Sequence, residues 1–270
     1  MKGRNQFLQT DLPEFNYLEL LSHLGVTRHL GGLKATNELI ELCRMEKGKL
    51  ILDVGCGTGK TSCYITKKYG CSVVGVDISE KMISWSKERA IKEGIIDKVE
   101  FMRSDSQSLP FKSGIFDAVI SESVLVFVEN PGQAVSEYVR VTKLGGYIGL
   151  NEKIWIKTPP PAEVVEYLSS SYFGAKIETS EAWEKLLVAA GLNEPFAKTY
   201  SLTALSDAIN RIRWFGFREI LLTWSRLLFM YLSGSASRRE IKKMMLLIQN
   251  FPKNLYEFCG YGIYVGRKKG

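Results

Sequence analysis

An acid followed by three alternate glycines stands in the stretch LILDVGCGTGKTSCYI at residues 50–65. β-favouring residues precede this turn and a helix-like segment follows it. Gly55, Gly57 and Gly59 let the backbone approach a ligand closely, and Asp53 lies two residues before the first of them. A carboxylate at this position would repel a pyrophosphate, whereas it suits a ligand that carries an ammonium and a sulfonium. The turn therefore predicts a site for a cationic ligand.

Two phosphate-binding motifs fit the same turn less well. A P-loop, G-x-x-x-x-G-K-[ST], would end at Gly59, Lys60 and Thr61, but its first glycine would fall on Val54. A dinucleotide fingerprint, G-x-G-x-x-G, would need its third glycine one residue after Gly59. The spacing thus favours neither motif.

Further acids follow the next predicted strands. SVVGVDIS at 72–79 is an apolar run that contains Asp77, and VEFMRSDSQSLPF at 99–111 predicts a third strand followed by Asp105. FDAVISESVLVFVEN at 116–130 predicts a fourth strand. Acids thus recur at the end of, or just after, successive predicted strands.

The motif LDVGCGTGKTS resembles the first motif of the class I S-adenosylmethionine-dependent methyltransferases. The ordered series over residues 36–155 is similar to their small-molecule branch, which contains the ubiquinone and menaquinone methyltransferases. This resemblance implies S-adenosylmethionine as the cofactor, with Asp77 on the ribose hydroxyls and Asp105 on the adenine amino group, and no metal. The cofactor-binding residues that it implies are Tyr17, Asp53, Gly55, Cys56, Gly57, Asp77, Ile78, Met82, Asp105, Ser106 and Glu122.

Each of these acids also has an ordinary structural interpretation. Asp53 would be a turn acid, Asp77 would pair with Lys81 at a strand end, and Asp105 would belong to a polar loop that needs no ligand. The order of the whole series, more than any single acid, supports a cofactor site.

The predicted fold class is α/β, a Rossmann-like seven-stranded and mostly parallel sheet with an antiparallel last strand. Ser79 is placed to cap a helix, and Asn130 followed by proline predicts another helix that ends at Gly145-Gly146 before the fifth strand, YIGLNE. PFAKTYSL at 195–202 and YGIYVGRK at 261–268 predict the sixth and seventh strands.

A segment of unusual length separates the last two predicted strands, and a connection this long should have structure of its own. We predict a helical insertion there. The chain is accordingly divided into an N-terminal helical segment (1–49), a methyltransferase core (50–202), an inserted helical lobe (203–258) and the last core strand (259–270).

Composition and cysteine content are typical of a cytoplasmic globular protein. The chain has 270 residues, of which 45% are hydrophobic, so it can bury one core with an appended lobe. No basic segment followed by an apolar one opens the sequence, and no secretory signal is expected. The cysteines are odd in number and form no C-x-x-C pair, which predicts free thiols and no zinc site; they are Cys43, Cys56, Cys63, Cys71 and Cys259.

The positive charge is concentrated in the last quarter of the chain. Residues 203–270 contain twelve Lys and Arg against four Asp and Glu, whereas the rest contains 24 and 25. Within this quarter, residues 211–232 predict a helix with a wide apolar face, too interrupted by charge to predict a membrane span. Three roles remain open for that face: packing on the core or on a second copy in a homodimer, a lid over an apolar substrate, or a peripheral membrane contact.

A general base is needed only if the acceptor carries a proton of high pKa. The candidates near the strand ends are Glu122, Glu152, His29 and Tyr17, and Glu152 is predicted as the catalytic base. Their ordinary alternatives are a surface acid for Glu152, a helix-end histidine for His29 and core packing for Tyr17.

The acceptor class is narrowed by what the chain lacks. Its fourth-strand loop reads SESVLVF in place of the Pro-Pro run of amino-methylating nucleic-acid enzymes, and no Pro-Cys occurs, so no nucleic-acid partner is expected. Val126, Phe127, Trp214, Phe217 and Trp224 predict apolar walls. The predicted function is methylation of a small hydrophobic, quinone- or lipid-like molecule. The alternative is an RNA-surface or anionic-membrane binding protein that retains the cofactor fold.

Overall fold

The computed structural model describes residues 17–171, 175–192 and 195–269. The strands of this part are β1 Leu50–Val54, β2 Ser72–Asp77, β3 Val99–Arg103, β4 Phe116–Glu122, β5 Thr142–Trp155, β6 Glu178–Thr179, β7 Phe196–Ser201 and β8 Cys259–Arg267. They form one sheet in the order β3-β2-β1-β4-β5-β8-β7, with the two-residue β6 paired to β5 outside that path.

The sheet is parallel from β3 to β5 and antiparallel at β8, which pairs with both β5 and β7. This confirms the predicted seven-stranded fold with its antiparallel last strand, and β6 is an addition that the sequence did not indicate. At the end of β1, Val54 lies opposite Val76 of β2 and Ser121 of β4. The carboxyl ends of these three strands therefore meet at one edge.

Helices connect the strands and cover both faces of the sheet. They are α1 Tyr17–Leu24, α2 Gly32–Leu42, α3 Lys60–Tyr69, α4 Glu80–Lys92, α5 Pro131–Val141, α6 Ala162–Ser171, α7 Ser180–Ala189, α8 Ala204–Ser233, α9 Ser235–Gln249 and α10 Leu255–Phe258. Ser79 and Asn130 cap α4 and α5 through their side chains, as predicted. Because α5 ends at Val141, the predicted end at Gly145-Gly146 is wrong: both glycines lie inside β5, where a register shift interrupts its pairing with β4.

Two apolar clusters, one on each face of the sheet, hold the strands in register. Ile51 and Ile120 belong to one cluster, and Leu52 and Val119 to the other. Since a shift by one residue would exchange the two faces, burial on both sides fixes the pairing. The loops at the carboxyl edge of the sheet therefore begin from strands whose positions are fixed.

The predicted helical insertion lies between β7 and β8, where the described residues form α8, α9 and α10 and no strand. Thr203 and Ser206 begin α8 with a reciprocal capping box. The helix is kinked at Gly216, whose φ of 73° and ψ of 157° are not helical. Among the described residues, no helix has the length and apolarity required to span a membrane.

In the N-terminal segment predicted over 1–49, the described part contains α1 and α2, and residues 1–16 lie outside the described range. All five cysteines are free and buried.

Candidate functional site

A cavity of about 580 Å³ opens at the carboxyl ends of β1, β2 and β4. Such a volume falls within the range of about 300–1,000 Å³ that is usual for small-molecule sites. Its floor is the glycine turn after β1, and its other walls come from α1, the α1–α2 connection and the loops after β2, β3 and β4.

The turn after β1 requires glycine at three of its positions. Gly55, Gly57 and Gly59 have φ values of 72°, 54° and 68°, a region that other residues rarely adopt. A Cβ at Gly55 would lie 2.2 Å from Val124 Cγ2, and one at Gly57 would lie 1.9 Å from Thr27 Cγ2. The backbone is thus packed closely on both neighbouring segments.

Asp53 is buried beneath this turn, and its Oδ2 accepts a hydrogen bond of 2.5 Å from the Ser62 hydroxyl in the first turn of α3. Burial, together with the nearby carboxylates of Glu122 and Asp77, raises the pKa of Asp53 to about 7, although the hydrogen bond from Ser62 acts in the opposite direction. An ionised Asp53 therefore lacks a compensating charge, which a cationic ligand would provide.

Asp77 holds the turn from the end of β2. Its Oδ2 accepts from the Gly57 N–H at 2.9 Å and its Oδ1 from the Ser79 N–H at 2.9 Å. Burial raises the pKa of this carboxyl despite the two bonds. No ion pair with Lys81 occurs among the described residues, so the plainer interpretation of Asp77 loses its support.

The other residues implied by the resemblance are distributed around the same cavity. Asp105 is exposed at its rim, and its Oδ1 accepts from the Gln107 N–H at 2.8 Å. The Tyr17 side chain lies outside the described part of the structure, although its backbone begins α1. Further predicted residues that line the cavity are Cys56, Ile78, Met82, Ser106 and Glu122.

Glu122 ends β4 and is the centre of a polar cluster with 5% of its side chain exposed. Thr36 Oγ1 donates to Glu122 Oε2 at 3.0 Å, Thr61 Oγ1 to Oε1 at 3.1 Å, and Asn151 Nδ2 to Oε2 at 3.3 Å. His29 Nδ1 lies 3.3 Å from Glu122 Oε2. The threonines and Asn151 come from three different elements, and although Thr61 lies in the glycine motif, the sequence indicated none of the three as a partner of Glu122.

His29 connects this cluster to the inserted helices. Its ring packs edge-on against the buried Trp214 of α8, with 4.7 Å between centroids. The ammonium of Lys60 lies over the same tryptophan ring, 5.2 Å from its centroid. Among the aromatic residues predicted for the acceptor walls, Trp214 thus lies behind His29 and outside the cavity lining.

Glu152, the predicted base, does not line the cavity. Its side chain is fully buried, and Oε1 accepts from the Val124 and Leu125 N–H groups at 3.0 and 2.9 Å. Burial raises its pKa to about 8. The carboxyl therefore supports the loop after β4, while the cavity itself presents His29 and Glu122.

Another part of the cavity lining is apolar. Val126 and Phe127 line it as predicted, together with Val26, Leu30 and Ile177. The prediction that Phe217 and Trp224 add to this wall is wrong, because both side chains lie on the outer surface of α8, 76% and 67% exposed.

The cavity therefore combines a negative side with an apolar side. Among the described residues, none of Asp53, Asp77 and Glu122 forms an ion pair with a lysine or arginine. The same part of the chain groups no three His, Cys, Asp or Glu side chains as metal ligands.

A family model described as "Methyltransferase domain" matches residues 52–150, the segment from β1 into β5 that contributes the glycine turn and the loops after β2, β3 and β4 to this cavity. An uncharacterized methyltransferase, YodH of Bacillus subtilis, is 34% identical over 192 residues, which are 71% of this chain and 78% of that protein. The chain belongs to the class I S-adenosylmethionine-dependent methyltransferases. The residues that match the family model include the glycine turn and the acids Asp53, Asp77, Asp105 and Glu122.

Two further methyltransferases extend the comparison. Phosphoethanolamine N-methyltransferase 1 of Arabidopsis thaliana is 30% identical over 168 residues, and the match covers 62% of this chain but only 33% of that protein. A solved phosphoethanolamine N-methyltransferase 2 of Haemonchus contortus, in complex with S-adenosyl-L-methionine, has a TM-score of 0.71 at 18% identity over 94% of this chain and 58% of that one. The chain thus spans about a third of the plant methyltransferase, and the solved structure indicates a shared fold.

Proposed function

We propose that this methyltransferase transfers the methyl group of S-adenosylmethionine to a small apolar acceptor, a quinone- or lipid-like molecule. One observation carries the proposal: three carboxylates without a lysine or arginine partner among the described residues border the same cavity as an apolar wall. The negative side suits a cationic cofactor, and the apolar side suits an acceptor that gains by leaving water.

The cofactor-binding roles follow from the family resemblance and from how firmly each group is held. Asp77 is fixed by two backbone N–H groups and Asp105 by Gln107, so both carboxylates are oriented before a ligand arrives. We assign Asp77 to the ribose hydroxyls and Asp105 to the adenine amino group. Asp53 and Glu122 favour the positive charge of the cofactor.

Bound S-adenosylmethionine would supply the methyl group for an in-line displacement, and the electrons of the broken carbon–sulfur bond would remain on its sulfur. The protein's part is to align the acceptor and to exclude water, for which Val126 and Phe127 are placed. If the attacking atom is a hydroxyl oxygen, His29 accepts its proton and the Glu122 carboxylate, 3.3 Å away, stabilises the resulting imidazolium. His29 with Glu122 thereby replaces Glu152 as the proposed base.

Calorimetry tests the cofactor part of the proposal. Asp77→Asn should weaken S-adenosylmethionine binding by about 1–3 kcal/mol, because hydrogen bonds to a charged group are lost. The matched control is Asp97→Asn, an exposed acid remote from the cavity lining, which should bind as the wild type does. Equal affinity of the wild type for NAD or ATP would reject the cofactor assignment.

Labelled cofactor tests the acceptor part. Cell extract is incubated with the protein and a methyl-labelled cofactor, then separated into lipid, polar-metabolite, protein and RNA fractions. We expect label in the lipid fraction, and a larger loss of transfer in His29→Gln at low pH than at high pH if the acceptor is a hydroxyl. Label confined to the polar or RNA fraction would reject an apolar acceptor and leave the cofactor assignment standing.

A further inference from the structure

The second half of α8 presents its apolar side to the surroundings instead of to the protein. Phe217, Leu221, Trp224, Leu228 and Leu232 are spaced four, three, four and four residues apart and are all exposed, Trp224 by 67% and Leu232 by 69%. This spacing places them along one face of the helix. We name these five residues the outer stripe.

The inner side of the same helix is held to the protein by polar contacts. Glu219 accepts from Lys60 Nζ at 2.8 Å and from Arg89 Nη2 at 2.7 Å. Arg226 Nη1 donates to the Leu24 carbonyl at 2.6 Å, and its guanidinium stacks 4.3 Å from the centre of the Trp85 ring. The usual arrangement of a surface helix, apolar inward and polar outward, is thus reversed, and these contacts fix the outer stripe in its exposed orientation.

The start of α9 adds a basic cluster beside this helix. Arg238, Arg239 and Lys242 are exposed and form no ion pair within the described residues, and Arg218 of α8 is likewise exposed and unpaired there. The acids of α8 and α9 are already engaged in ion pairs: Asp207 with Arg28 and Arg211, Glu219 with Lys60 and Arg89, and Glu240 with Lys243. The surface therefore offers positive charge and apolar area together, with no free carboxylate on either helix.

We infer that the outer stripe and the basic cluster dock this protein onto an anionic lipid surface. A bilayer interface accepts Trp, Phe and Leu side chains below its headgroups while its negative lipids attract Arg and Lys above them. A second copy of the chain fits this face less well. A twofold contact would bring the same arginines against each other, with no unengaged acid on α8 or α9 to pair with them.

The docked face adjoins the cavity through α1. Leu18 and Leu21 of this helix line the cavity, and the carbonyl of Leu24 at its end accepts the hydrogen bond from Arg226. A lipid surface on the outer stripe would therefore lie one short helix away from the acceptor wall.

Vesicle flotation with the full chain tests the inference. The wild type should float with phosphatidylcholine vesicles that contain phosphatidylglycerol, bind weakly to pure phosphatidylcholine, and lose binding as salt is added. The double variant Arg238→Glu/Arg239→Glu should bind at least about tenfold more weakly, because each basic residue near an anionic surface contributes on the order of a fivefold factor. The double variant Phe217→Ser/Trp224→Ser should lose vesicle binding by a similar factor, because it removes exposed apolar area.

Matched controls separate docking from general changes in charge or hydrophobicity. Lys47→Glu/Lys112→Glu makes the same change of charge at exposed lysines outside the insertion, and Leu144→Ser/Val188→Ser removes two other exposed apolar side chains. Both controls should float like the wild type, and all variants should keep S-adenosylmethionine affinity by calorimetry, which reports a folded core.

Three outcomes would overturn the inference. One is wild-type protein that stays unbound to anionic vesicles, and another is flotation that both lobe variants retain in full. The third combines two observations. Sedimentation shows a wild-type dimer that Phe217→Ser/Trp224→Ser converts to monomers, and the wild type does not bind vesicles. That result would assign the outer stripe to a second copy of the chain.

Discussion

The glycine turn after β1 and the second half of α8 show opposite relations between pattern and environment. In the turn, each glycine meets a named neighbour, and the acid beneath it is bonded to the next helix. In α8, each residue of a regular apolar stripe is more than half exposed. A motif defined by backbone conformation predicts which neighbours must pack against it. The spacing of an amphipathic helix predicts an apolar face but does not predict what that face contacts.

Two glycines make this difference measurable. Gly57 and Gly216 both have positive φ, 54° and 73°. A Cβ at Gly57 would collide with Thr27, but a Cβ at Gly216 would find no atom within 4 Å. One position is constrained by packing and conformation, the other by conformation alone.

A large and pH-dependent effect is expected at Glu152, which supports the loop facing the turn. Burial raises its pKa from 4.5 to about 8, so the unfolded chain releases this proton at a lower pH than the folded one. The wild type should therefore lose stability as pH rises through that window, by about 1.4 kcal/mol per pH unit. Glu152→Gln keeps an acceptor for the two N–H groups and removes the ionisation.

Urea unfolding at several pH values measures the difference. Relative to the wild type, the free energy of unfolding of Glu152→Gln should increase by about 3 kcal/mol as the pH is raised from about 6 to about 8. Glu129→Gln, an exposed acid on the same side of the sheet, should follow the wild-type curve. Parallel curves for Glu152→Gln and wild type would mean that this carboxyl is not held in its protonated form.

Gly57→Ala should cost about 2–3 kcal/mol of unfolding free energy, from the left-handed backbone and from the collision with Thr27. Thr27→Ser removes the methyl group that the new Cβ would meet and keeps the hydroxyl that bonds Thr58. In the double variant, roughly 1 kcal/mol of the loss should remain. Additive costs in the double variant would contradict the steric part of this explanation.

Gly216→Ala should cost about 1–2 kcal/mol, because only the backbone conformation penalises it. The neighbouring helix can relax by straightening at the kink, since no side chain blocks the added carbon. Chemical denaturation compares it directly with Gly57→Ala. A loss equal to that of Gly57→Ala would show that the lobe is packed as tightly as the turn.

The smallest effect is expected at Trp224, whose replacement by alanine should change stability by less than about 0.5 kcal/mol. Trp214→Ala, on the same helix but buried against His29, should cost about 3 kcal/mol or more. Thermal unfolding of the two variants distinguishes them. Similar losses would indicate that the outer stripe is covered in solution.

Many elements follow from local sequence. The seven core strands were predicted because each is a short apolar run bounded by turn residues, and the helices after Ser79 and Asn130 because their caps satisfy the first N–H groups. The end of α5 is different, because the sequence predicts a helix stop at Gly145-Gly146 whereas the structure places both glycines in β5 at a shift of its register with β4. Pairing between distant strands overrode the local signal.

The amino-acid sequence is enough to predict the glycine turn, the acids at the ends of β1 and β2 and after β3, and the succession of strands along the chain, because these depend on residues close together in the chain. Tertiary structure decided the rest. It brought Thr36, Thr61 and Asn151 around Glu122, moved Glu152 from the cavity to the support of a loop, and turned the apolar side of α8 outward. Helical periodicity is the same whichever way a face points, and only the contacts of Glu219 and Arg226 with distant residues fix that choice.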